Sequence, residues 1–414
     1  MSFLYQFLMI FGFISNISFG FITTRRLVIL VALFIIIFNW KRVIELSSLI
    51  KPSMRKSGTL LLVCLLITFF HAVTVVQSPM NQYFGPRDIV TLVMGILVMG
   101  LWSAVEIKSF EKFAIIIVVF VLLQSLFTYI SAVNQPFRIY VAEHFMDESY
   151  VNRSQQVIYG MGGRAAGIGL AWSMGSLVLA YGCLILIALR MRSRINPFLF
   201  GLFYAIILGA TALMGRTGML VEVVLLLFYG LYGGQLKNMF FLVFIAVIGL
   251  IILNQVLSRY DELMAEVTRE WMFQFMDSDK VGDINEQVSG GGLPPFSSDF
   301  IFGTGIILGK YNGLTFDADS GYVRSYTSIG IIGMFCYYVG LLLLLIGPIK
   351  KTITRNQRML MWVGIIILFL VEYKEPYIGM TIYPWILFTM ALLLYRDSKK
   401  EKNENNSSGR LLSM

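Results

Sequence analysis

Apolar runs approaching 20 residues recur from one end of this chain to the other, twelve of them in 414 residues. They fall near 3–23, 27–46, 58–76, 88–107, 113–133, 166–188, 197–214, 217–234, 238–257, 326–347, 359–373 and 376–395. A helix of about 20 apolar residues crosses the ~30 Å hydrocarbon layer of a bilayer. A water-soluble domain has no interior large enough to hide twelve such segments. Its charged fraction would also stand near 25%, as an order of magnitude, whereas here it is 14% with 57% hydrophobic residues. The expected fold class is an all-α integral membrane protein with about 12 transmembrane helices over residues 1–396. A short polar segment, 397–414, follows and reads as a disordered tail. The first 24 residues lack a basic leader and a small-residue cleavage site, so they read as a span and not as a cleaved signal.

Lysine and arginine placement gives an orientation. With both termini cytoplasmic, the inner segments carry 20 of these residues and the short outer loops only 5: Arg25, Arg26, Arg87, Arg216 and Lys374. Arg25 and Arg26 run against the rule. The net charge of +9 therefore faces anionic lipid heads and implies no nucleic acid. Cys64, Cys183 and Cys336 all lie inside apolar runs, so they read as packing residues with no disulfide and no metal. Lys41 and Arg42 interrupt the second run and make it the least regular. Two expected outer loops, 134–165 and 258–325, are too long to be mere connectors. In the second, Leu263, Val267, Trp271 and Phe275 recur every four residues among charges, the pattern of an amphipathic surface helix.

In this topology the even-numbered spans begin on the outer side, and six of them are preceded by a cation: Arg26, Arg87, Arg164, Arg216, Arg324 and Lys374. Helix N-termini present free N–H groups and partial positive charge, so an arginine there doubles an anion site. Arg26, Arg87 and Lys374 read as interfacial anchors. Arg164 and Arg216 differ, because Gly163-Arg164-Ala-Ala-Gly167 and Gly215-Arg216-Thr-Gly218 let backbone and ligand approach closely. Both are expected to face a polar cavity and an anionic ligand. Glu222, six residues into its span, is either a functional carboxylate or the partner of a nearby arginine. Asp317-Ala-Asp319 forms a D-x-D pattern without a nucleotide-binding glycine loop, and a solvated loop is the plain alternative. His71 reads as a packing histidine, and His144 has no visible partner. Glu372, Lys374 and Glu375 read as a structural charge cluster.

Four motifs in order, GGRAAGIGL (162–170), MGRTGML (214–220), FIFGTGIILG (300–309) and DADSGYVRSYTSIGIIG (317–333), resemble the bacterial O-antigen polymerase family (Wzy type), which is related to the O-antigen ligases. The resemblance covers roughly 160–340 by motif and the whole chain by topology. Ligases usually carry a His-Asn pair near the position of Asp319-Ser320, and this chain has no histidine beyond residue 144, which favours the polymerases. The resemblance implies a GT-C-like membrane glycosyltransferase that needs no cofactor and no metal. Donor and acceptor would both be glycans on undecaprenyl diphosphate, membrane lipids would surround the chain, and a chain-length regulator protein would be a partner. The site would lie on the periplasmic face of the bacterial inner membrane. A leaving diphosphate calls for cations, which Arg164, Arg216 and Arg324 supply, with Tyr322 beside them. An attacking hydroxyl calls for a base, which Asp319 supplies, with Glu222 and Asp317 as secondary candidates. A ligase and a lipid-linked oligosaccharide flippase remain the alternatives, the latter expected to carry internal symmetry.

Overall fold

Backbone groups in hydrocarbon must bond within their own segment, which makes helix the local answer to a long apolar run. The computed structural model places a helix in each of the twelve runs. It describes residues 2–19, 22–75, 78, 81–145, 165–232, 236–260, 298–311, 314–316, 318–349 and 354–411. Among the described residues six helices are long and apolar enough to cross a membrane, and a bent pair raises the number to seven. The chain is thus a mostly helical protein equipped to be embedded in a membrane. Cys64, Cys183 and Cys336 are free and buried.

The first run does not fill its length with helix. α1, Phe3–Ser15, ends where Asn16 turns into the left-handed region at φ 47°, which asparagine tolerates. Ser18–Phe19 (β1) and Ile22–Thr23 (β2) then pair as a small hairpin. Arg25 donates from Nε to Phe13 O at 3.0 Å and lies over the Phe13 ring. It caps the last carbonyls of α1, which gives this exception to the basic-side rule a local cause. The second run is bent by 93° between α2, Thr24–Phe38, and the start of α3, Trp40–Thr74. Asn39 sits at the bend and donates its side-chain amide to Ile35 O at 2.9 Å. The basic stretch expected as an inner loop, 41–56, is therefore helical. At the other end, α14 (Ile382–Leu411) continues through the charged residues after Arg396, where a disordered tail was expected; lysine, glutamate and arginine are good helix formers.

The chain divides into two compact units. The first comprises Met1–Val31 and Phe110–Asp277. Its centre is α7, Trp172–Met191, buried from Leu177 through Leu189 and packed against α5 (Phe110–Val133), α8 (Pro197–Met214) and α9 (Arg216–Tyr232). Gly182 lets α7 approach Val121 so closely that a Cβ there would collide with it, the small-residue contact usual between helices in lipid. α6, Gln135–Phe145, and α10, Leu236–Tyr260, also belong to this unit.

The second unit comprises Ala32–Ser109 and Ser278–Met414. Here α14 buries Trp385 and Phe388 against α4, Pro86–Glu106, where Gly95 and Gly100 make room for Thr381 and the Phe388 ring. α12, Gly321–Ile346, packs along α3, with Ser57 Oγ donating to Gly340 O at 2.7 Å. A three-stranded antiparallel sheet of Gln82–Tyr83 (β3), Ile306–Tyr311 (β6) and Leu314–Phe316 (β7) joins the connection before α4 to the second long loop. Asn81 imitates a strand residue there, its side-chain amide bonding both N–H and C=O of Lys310. Gly309, at φ 135°, has no Cβ to meet that amide. α13, Arg355–Val371, precedes α14.

Candidate functional site

In the first unit the interest centres on Gly215 and Arg216. α8 and α9 form an antiparallel hairpin, shown by Phe200 against Tyr229 with ring centroids 5.1 Å apart. Gly215 makes the reversal with extended backbone and donates its N–H to Thr211 O at 2.8 Å. Arg216 is then the first residue of α9, its side chain half-buried. Gly218 N donates to Ser176 Oγ at 3.2 Å, and Ser176 Oγ donates to Ser173 O at 2.8 Å. A Cβ on Gly215 or Gly218 would strike Ser176. The first turns of α7 and α9 therefore touch, and two positive helix ends share one level with a guanidinium. That combination attracts an anion.

Arg164 lies outside the described residues. Its neighbour Ala165 is fully buried, and the chain then forms a hairpin of Ala166–Gly167 (β4) and Leu170–Ala171 (β5). Span six, expected from 166, thus begins as helix only at Trp172. Gln124 of α5 clamps the hairpin tip like a peptide group, accepting from Ile168 N at 2.9 Å and donating to Ile168 O at 3.1 Å. Ser131 Oγ accepts from Ala166 N at 3.2 Å. Gly167 lies against the Gln124 amide, and Gly169, at φ 67°, lies against Ser15 O. The glycines of GGRAAGIGL therefore serve close backbone contact.

Glu222 is fully buried one helix-turn series below Arg216. Thr211 Oγ1 donates to its Oε1 at 2.5 Å, and Tyr204 donates to its main-chain oxygen at 2.6 Å. The Cys183 thiol faces the same carboxyl. Its Oε2 has no hydrogen-bond partner among the described residues. Of the two expected roles, pairing with an arginine is not the one the described residues adopt.

In the second unit the DADSGY motif enters α12. Arg324 folds back over the loop, its Nε donating to Ala318 O at 2.7 Å and its Nη2 meeting Asp319 Oδ1 at 3.3 Å. Asp319 remains exposed on its other side. Asp317 lies outside the described residues. Tyr322 spends its hydroxyl on Phe369 O at 2.6 Å, and its ring packs on Tyr338 at 5.0 Å. Ser320 stands at the N-cap with its hydroxyl buried and without a partner among the described residues.

The residue that sequence reasoning missed is Glu372. It follows α13 and is buried. Gly321 N donates to Glu372 O at 2.9 Å, Tyr338 donates its hydroxyl to Oε1 at 2.8 Å, and Ile378 N donates to Oε2 at 2.7 Å. A Cβ on Gly321 would collide with the Glu372 carboxyl, so the glycine of Asp-Ser-Gly-Tyr is there for this contact. Nothing in the spacing of Glu372, Lys374 and Glu375 tells which of the two carboxyls turns inward.

The remaining motif, FIFGTGIILG, interlocks with the later part of the DADSGY segment. α12 is broken at Gly330, φ 69°. The Phe-Gly-Thr-Gly turn following α11, Asp299–Phe302, docks beside the break. Thr304 N and Gly305 N donate to Thr327 O and Ser328 O, each at 2.8 Å. A turn thus satisfies carbonyls at a helix discontinuity, as backbone inside a membrane protein requires. Buried His71 of α3 covers this turn at Gly303 and Gly305, in keeping with a packing role. His144, on α6, stacks on Tyr140. The amphipathic pattern at 263–275 lies outside the described residues.

Among the described residues no three His, Cys, Asp or Glu side chains gather as metal ligands do. Compared with protein-family models, with curated proteins and with solved structures, the chain matches none.

Proposed function

We propose that the chain is an O-antigen-type polysaccharide polymerase. It would span the bacterial inner membrane about 12 times in a GT-C-like arrangement, with both termini cytoplasmic and its chemistry on the outer face. One observation carries the reading most: Asp319, at the start of a membrane-type helix, is exposed on one side and held by Arg324 on the other. A carboxylate so placed is oriented by its neighbour and is open to a substrate hydroxyl.

In the proposed reaction the acceptor's sugar hydroxyl gives its proton to Asp319. Its oxygen forms a bond to the donor's anomeric carbon, and the bond from that carbon to the carrier diphosphate breaks. The electron pair leaves on the diphosphate. Arg324 orients Asp319. Arg216, at paired helix ends in the first unit, is assigned with Arg164 to the diphosphate of a lipid-linked substrate. Undecaprenyl-diphosphate glycans are the substrates, with a chain-length regulator as partner.

The test is extension of synthetic undecaprenyl-diphosphate-linked repeat units by purified protein in nanodiscs, read as chain length by mass spectrometry. Polymers of several repeats support the reading. Transfer of a finished chain to a different acceptor identifies a ligase. Movement of the lipid across vesicles without extension identifies a flippase.

A further inference from the structure

Glu372 is tied at three points. Its main-chain oxygen holds Gly321 N, and its two carboxyl oxygens hold Tyr338 and Ile378. The Tyr338 hydroxyl meets Ser325 Oγ at 3.0 Å, and its ring packs on Tyr322. Gly321, Tyr322 and Ser325 are thus all fixed with reference to Glu372. Asp319 lies two residues before the first of them, and Arg324 lies between the last two. Arg324 itself is bonded to Ala318 O and to Asp319 Oδ1. Gly321 has no side chain to hold the carboxyl away.

We infer that Glu372 is the positioning residue of the Asp319–Arg324 pair, fixing the loop that presents the Asp319 carboxylate to the acceptor hydroxyl. The inference rests on the polymerase reading for its functional consequence, and on the geometry alone for its structural one. Glutamate fits the position because two donors, one from a helix and one from a main-chain turn, require two acceptor oxygens. Misplacing a reacting group by about 1 Å can cost about 100-fold in rate, so the effect should appear in turnover.

Glu372→Gln keeps the size and loses one acceptor. In the extension assay its kcat should fall about 10–100-fold, with KM for donor nearly unchanged. Glu372→Asp should recover part of the loss. Combined with Asp319→Asn, Glu372→Gln should add nothing, because both changes act through one carboxylate. A purely structural glutamate would give an additive double variant. Tyr338→Phe removes one donor without leaving a buried acceptor amide, and it carries the same test if Glu372→Gln does not fold. Hydrogen exchange of 318–328, read on the same nanodiscs, is independent of activity. Glu372→Gln, or Tyr338→Phe in its place, should remove protection there. Wild-type exchange at 318–328, wild-type kcat in a folded variant, or additivity with Asp319→Asn would each overturn the inference. If the wild-type protein extends nothing while the exchange changes as expected, the polymerase reading falls and the positioning stands.

Discussion

Two buried glutamates, one in each unit, are satisfied in opposite ways. Glu222 takes one side-chain hydroxyl, from Thr211, and leaves its second oxygen without a hydrogen bond among the described residues. Glu372 bonds through both oxygens, to Tyr338 and Ile378. Each lies beneath a glycine that brings two helix segments into contact: Gly218 against Ser176, and Gly321 against Glu372 itself. The difference teaches what each carboxyl is for. Glu222 ties α8 to α9 below the Gly215 turn through its carboxyl, held by Thr211, and its main-chain oxygen, held by Tyr204, and a neutral amide could keep both bonds. Glu372 accepts from two donors, one on each carboxyl oxygen, and an amide cannot do that.

The largest effects should come from breaking the glycine contacts. Gly321→Val and Gly218→Val each drive a side chain into neighbouring atoms, the Glu372 carboxyl with Pro376 in one case and the Ser176 main chain in the other. Each should destabilise its unit by about 1–3 kcal/mol, the usual cost of overpacking, read as a lower thermal midpoint in detergent. An unchanged midpoint for either would show that its backbone can separate.

The comparison sharpens with the glutamates. Glu372→Gln should cost about 1–3 kcal/mol, because a buried donor is left facing an amide. Glu222→Gln should stay within about 1 kcal/mol, since the amide oxygen can still accept from Thr211 and the other oxygen has no bond to lose. Thermal midpoints of the two variants side by side decide this, and the reverse order would break the contrast. Smaller again is Tyr322→Phe, which removes one bond to Phe369 O and should cost about 0.5–1.5 kcal/mol.

The arginines offer a test in each unit. Arg324 uses Nε and Nη2 on two different acceptors, and a lysine has no such fork. Arg324→Lys and Arg216→Lys should both extend poorly. Arg324→Lys should also loosen the 318–324 loop in hydrogen exchange. Normal extension by Arg216→Ala would place Arg216 with the interfacial anchors.

The helices were legible because twelve apolar runs admit little else in a membrane. Their ends were not, where a single side chain decides. Asn16 stops α1, Asn39 bends the second run, and Gln124 holds 166–171 as a hairpin. Glycine is ordinary in membrane helices, so nothing local marked Gly330 as a break that a turn 25 residues earlier completes. Within the site, the glycine-flanked arginines stood out as charges between apolar runs, and Asp319 by its D-x-D pattern. Glu372 did not, because its partners Tyr338 and Gly321 are 34 and 51 positions away. Arg164 and Asp317 fall outside the described residues.

The central claim is that Asp319 is the base of a glycosyl transfer, and Asp317, two residues away with the same chemistry, is its natural control. The direct measurement is extension of synthetic lipid-linked repeat units by purified Asp319→Asn and Asp317→Asn, with donor binding assayed separately. General-base catalysis is typically worth about 10²–10⁴ in rate. Asp319→Asn should therefore bind donor as the wild type does while extending it at least about 100-fold more slowly, and Asp317→Asn should lose less. Extension by Asp319→Asn at the wild-type rate would contradict the account.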